Sequence, residues 1–72
     1  MIHSFGVNFF LRRKTGRYAY RSMDAVPRIG DKIVFDEVRY TVAIVEWCLD
    51  EDASRIPGQA RVNIEIEKVK HP

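Results

Sequence analysis

The 72-residue sequence has one cysteine, Cys48, and two histidines, His3 and His71. A single thiol excludes an internal disulfide framework, and this set falls short of the Cys/His groups that hold structural zinc, so neither a metal nor a cofactor is expected. The longest apolar run is the four residues Val42-Ala43-Ile44-Val45, against the roughly 20 that a membrane-crossing helix needs. Residues 1–6 have no basic stretch leading into an apolar one, so no secretory leader is read there, and a reduced, cytoplasmic setting without a membrane partner is expected. Four glycines and three prolines are too few for a low-complexity linker. Neither sign of charge dominates: twelve Lys/Arg against ten Asp/Glu leave a net +2, too small an excess to argue for nucleic acid by itself. Heptads and helical stripes are absent throughout.

What is present is period two. Phe5, Val7, Phe9 and Leu11 alternate with Gly6, Asn8 and Arg12, the signature of a strand with one buried face, and Phe10 puts an aromatic on the other side. Lys14-Thr15-Gly16 has the form of a turn, and Arg17-Tyr18-Ala19-Tyr20-Arg21 resumes the alternation with Tyr18 and Tyr20 on one face. Residues 3–13 and 17–23 are therefore expected to form a β-hairpin. Between 23 and 31, Asp24 could cap one short helical turn, but Pro27 and Gly30 forbid a longer one. Gly30-Asp31 turns the chain into a strand at 32–35, and Asp36-Glu37 turns it again.

Residues 38–49 give the longest strand signal. Val38, Tyr40, Val42 and Ile44 share a face, yet beyond Ala43 the large residues become Val45, Trp47 and Leu49. A one-residue change of phase is what a β-bulge or sharp bend produces; a sheet covered on both faces is the other reading. If Ile44 keeps the inward phase, Trp47 lies outside the core; a bulge carries it back. A polar loop at 50–58 leads to a last strand at 59–70, with Ala60, Val62, Ile64 and Ile66 against Arg61, Asn63, Glu65 and Glu67. The chain, residues 1–72, is thus expected to be one mainly-β domain: a small antiparallel five-stranded barrel or rolled sheet with at most one short helical turn.

The segment Val26-Pro27-Arg28-Ile29-Gly30-Asp31-Lys32-Ile33-Val34-Phe35, followed by Val38-Arg39-Tyr40-Thr41-Val42, resembles the entry into SH3-like small barrels. It is also similar to small proteins of this length carried by bacteria and their phages. The likeness covers about a third of the chain and implies a fold, not an activity.

Two charge clusters and two aromatics are the candidate binding features. Arg12, Arg13, Lys14, Arg17 and Arg21 put five cations on the first hairpin, with Tyr18 and Tyr20 beside them. Such a ribbon could neutralise phosphates while a tyrosine stacks on an unpaired base; the plainer alternative is solubilising arginines with core tyrosines. Glu46, Asp50, Glu51 and Asp52 form an acidic patch suited to a basic partner, or simply a solvated loop; they lack the alternating oxygens and glycine of a calcium loop. Phe10 and Trp47, both out of phase, are the expected protein-contact residues.

Catalysis has little support. Cys48 has only His3 or His71, near the chain ends, as a base, and no glycine-rich phosphate loop opens a helix. The expected function is a non-enzymatic binding module for a protein partner or for itself as a homodimer. Nucleic-acid binding through the hairpin is the alternative, and a structural subunit of a phage-type assembly a further one.

Overall fold

Every regular element in the computed structural model, which describes residues 5–49 and 60–70, is a strand. They are β1 (Phe5–Leu11), β2 (Ala19–Met23), β3 (Lys32–Phe35), β4 (Val38–Cys48) and β5 (Ala60–Lys68). They form one sheet in the order β2-β1-β5-β4-β3, curled into a half-barrel. The fold is the small, mainly-β, barrel-like one expected, but the sheet is mixed: β1 and β5 run parallel, with Val7 opposite Val62 and Phe9 opposite Ile64, whereas the other pairs are antiparallel. Residues 24 and 25 make a bend where a helical turn was allowed.

Alternation on the three inner strands, β1, β5 and β4, builds the core. Val7, Phe9, Val42, Val62, Ile64 and Ile66 are at most 1% exposed on the concave face, with Tyr40 close behind. Each such side chain contributes on the order of 1.5–3 kcal/mol on burial. Phe5, Leu11, Ile33, Phe35, Val38 and Val45 pack around them, half-buried.

The phase change in β4 is a bulge. Val42 lies opposite Ile66 and Ile44 opposite Glu65, so Ala43 is the extra residue. Before it, Tyr40 and Val42 face inward; after it, Val45 and Trp47 do, opposite Ile64 and Val62. Ile44 is turned to the convex side and 45% exposed. One inserted residue thus lets an eleven-residue strand keep its apolar side chains on one face across a bend.

The edges approach each other without backbone pairing. Phe35, at the end of β3, stacks edge-on against Phe9 (5.0 Å between centroids) and Tyr18 (5.6 Å), and the Arg21 guanidinium of β2 lies 5.2 Å from its ring centre. Tyr18 donates a long hydrogen bond to Asp36 Oδ2 (3.4 Å). Side chains, not a ladder, hold the curl.

The β3–β4 loop is the two-residue Asp36-Glu37 turn, with φ of 49° and 67°. Paired positive φ values are the type I′ signature, which favours Asn-Gly and disfavours a residue with a long side chain. Glu37→Gly is expected to raise stability by about 1 kcal/mol, seen as a thermal midpoint higher by about 4–8 °C. Deleting Ala43 is expected to abolish the cooperative melt, because it turns Val45 and Trp47 to the convex side; Ala43→Ser, which keeps the bulge, is expected to melt near the parent.

Candidate interaction surfaces

The half-barrel offers three surfaces: the two open ends of its concave face and a polar track on its convex face. The first end is apolar. Trp47, 47% exposed, meets the Phe5 ring edge-on at 5.6 Å. With Val45, Val26 and Pro27 these rings line a groove of about 690 Å³, beside Ile29, itself 69% exposed. The 24–29 segment is positioned by a turn: Asp31 Oδ2 accepts from the Arg28 amide (2.8 Å), the Asp31 amide donates to the Arg28 carbonyl (3.0 Å), and Gly30 takes φ of 94°. A Cβ at Gly30 would meet no neighbour, so the requirement there is the dihedral alone.

The opposite end is basic. Because β1 and β5 are parallel, the residues following both strands emerge side by side. Arg13, Lys14, Lys68 and Lys70 rim a second groove of about 690 Å³ over Leu11, Ile66 and Val69. The Arg12 amide, donating to the Ile66 carbonyl (3.0 Å), ties the two strand ends.

On the convex face Asn8, only 4% exposed, sits opposite Asn63 and Tyr20. It donates to Asn63 Oδ1 (3.2 Å) and accepts from Arg17 (3.1 Å), whose guanidinium also lies 5.7 Å from the Tyr20 ring centre. Asn63 Nδ2 in turn donates to Cys48 Sγ (3.3 Å) and, at 3.4 Å, to Glu46. This satisfied track explains how a polar residue can be buried in β1, since an unpaired one would carry a desolvation cost.

The five hairpin cations do not make one ribbon. Arg12 pairs with Glu65 (3.1 Å) and Glu67 (3.4 Å), Arg17 belongs to the asparagine track, and Arg21 covers Phe35. Only Arg13 and Lys14 of the five rim the basic groove without such a tie among the described residues. Tyr18 and Tyr20 do not share a face: Tyr18 breaks phase just before β2 and packs on Phe35 and Tyr40, while Tyr20 stands on the convex side. Phe10 and Trp47 are likewise separated, Phe10 half-buried beside Asn8, Arg17 and Asn63, Trp47 on the concave face that the bulge gives it. Glu46 is exposed on the convex side; Asp50, Glu51 and Asp52, with His3 and His71, lie outside the described residues. Missed from sequence were Ile29 as a groove residue and Lys68 and Lys70 as neighbours of Arg13. Nothing local in the sequence signals the parallel pairing behind the latter.

Among the described residues, no group of three or more His, Cys, Asp or Glu is placed to hold a metal ion. No helix among them is long and apolar enough to cross a membrane. No family model, curated protein or solved structure matches the chain.

Tyr18 is the described group whose ionisation is clearly displaced. Desolvation among the rings raises its pKa above the usual phenol value, and the Tyr40 hydroxyl and Asp36 carboxylate push the same way. A phenol that ionises at higher pH in the folded chain makes folding take up protons, so its stabilising effect is intact below the ordinary phenol pKa and is lost as pH climbs through the raised value. Urea melts at neutral pH and above pH 10 are expected to show a smaller alkaline loss of stability for Tyr18→Phe than for the parent. An equal loss would place the alkaline sensitivity elsewhere.

Proposed function

We propose that the chain is a non-enzymatic binding module that contacts a protein partner, or a second copy of itself, through the apolar groove at Trp47. The observation that carries this reading is the half-exposed indole beside the largely exposed Ile29, over a floor of Phe5, Val26, Pro27 and Val45. A small domain normally hides its one tryptophan, and large rings bring much contact area at low entropic cost. The rim charges, Asp24 and Arg28, are one of each sign, so the groove suits a largely apolar segment. A reduced, cytoplasmic setting belongs to this reading, on the strength of the single cysteine.

Nucleic-acid binding by the hairpin draws less support, because Arg12, Arg17 and Arg21 are each engaged within the molecule and on different faces. The acidic patch is not needed for the groove.

Trp47 is the only tryptophan, so its emission reports on the groove directly. Peptides selected from a displayed random library are expected to share an apolar consensus, to shift that emission on binding, and to bind Trp47→Ser at least about tenfold more weakly. Sedimentation of the parent and Trp47→Ser over micromolar concentrations checks self-association: loss of a dimer in the variant supports the second-copy version. Selected peptides that bind Trp47→Ser and Ile29→Ser as tightly as the parent, with both proteins monomeric, would remove the proposal.

A further inference from the structure

The basic end of the concave face is a separate surface, and its chemistry is different. Four cations converge there from two parts of the chain that are more than fifty residues apart, Arg13 and Lys14 after β1, Lys68 and Lys70 at the end of β5. Like charges gathered at one mouth repel, and among the described residues none of the four has an ion-pair partner to offset this. Glu67, the acidic residue on the lining, is taken by Arg12. Arg13 holds its place with φ of 67°, in a turn closed by the Lys14 amide donating to the Leu11 carbonyl (3.2 Å). A non-glycine residue in that region is a conformational cost that the fold sustains.

Beneath the cations the floor is aliphatic. Ile66 is fully buried, and Leu11 and Val69 are half-buried and reachable. The ring nearest the floor, Tyr40, is 8% exposed and so offers no face to a base. A nucleic-acid strand would find phosphate partners here but no stacking platform. An acidic peptide finds both of its requirements, cations for its carboxylates and an apolar seat for one side chain.

We propose that this groove binds an acidic peptide segment of a protein partner, with one aliphatic or aromatic side chain seated on Leu11 and Val69 and flanking carboxylates on Arg13, Lys14, Lys68 and Lys70. The site lies at the other end of the sheet from Trp47 and stands whether or not the Trp47 groove binds anything.

The test is fluorescence anisotropy on the full chain with three labelled probes: a Glu/Asp peptide with a central leucine, the same peptide with alanine there, and an oligothymidine of equal charge. The leucine peptide is expected to bind in the micromolar range, about tenfold tighter than the alanine peptide, and to weaken as salt rises to physiological strength. Lys68→Glu with Lys70→Glu is expected to abolish binding, with Arg13→Gln plus Lys14→Gln as the second variant should the first fail to fold. Trp47→Ser is expected to bind like the parent, which separates this site from the apolar groove. Absence of binding at low salt, or equal affinity for the leucine and alanine peptides, would overturn the proposal. Tighter binding of oligothymidine than of either peptide would overturn it in favour of a nucleic-acid surface.

Discussion

The single extra residue at Ala43 is the constraint on which the molecule turns. β4 is the longest strand and pairs with both β3 and β5, so its facing decides what the concave side contains. Without the inserted residue, Tyr40 and Val42 would face inward while Val45 and Trp47 faced out, and the core would stop halfway along the strand. With it, the apolar face continues to the strand's end, and the polar Glu46 and Cys48 meet Asn63 on the convex side. The bulge therefore sets two surfaces together: the apolar groove at Trp47 and the far end of the asparagine track. Ile44 is the residue that carries the cost, left 45% exposed beside the bulge.

The second constraint is the parallel pairing of β1 with β5. In an antiparallel neighbour the end of one strand lies against the start of the other, and chemistry gathered at one terminus is diluted by the other's. Parallel strands bring like ends together. Here both strands finish in cations, Arg12-Arg13-Lys14 and Lys68-Val69-Lys70, so one end of the half-barrel is basic. Both begin beside small or apolar residues, Phe5 and Ala60, and the other end carries Trp47 and Ile29. A chain with a net charge of only +2 acquires a polar axis from topology alone.

That difference marks what could be read from the sequence. Alternation in residues 5–11 and 60–68 is local, so the strands and their buried faces were legible, as were the Gly30 and Asp36-Glu37 turns; after β1 the chain turns at Arg12-Arg13 rather than at Lys14-Thr15-Gly16, where Gly16, with φ of 84°, makes only a bend. The swap of phase at Ala43 was legible as well, because a bulge leaves its trace in the spacing of the apolar residues that follow it. Pairing partners are not local. Nothing in residues 12–14 says that residues 68–70 will stand beside them, and nothing in Arg12, Arg17 and Arg21 says that a carboxylate pair, an amide and a ring will claim each one. Tyr18 failed for a related reason: it lies just outside β2, where the period of two no longer dictates direction, and the Phe35 and Tyr40 rings decide it instead.

Among the described residues, the open sheet leaves two strand edges without backbone partners, and such edges invite pairing with other chains. Both are blunted here. β3 has four residues, begins with Lys32, whose ammonium is held by Thr41 (3.1 Å), and ends in the tight Asp36-Glu37 turn. β2 has five, with Arg21 drawn across to Phe35. Short length and flanking charge thus work against strand addition at both edges. The two ends of the concave face present side chains rather than backbone groups. That arrangement favours recognition by shape and charge over recognition by ladder hydrogen bonds, which supports the two occupants proposed above, an apolar segment at Trp47 and an acidic one at Lys68.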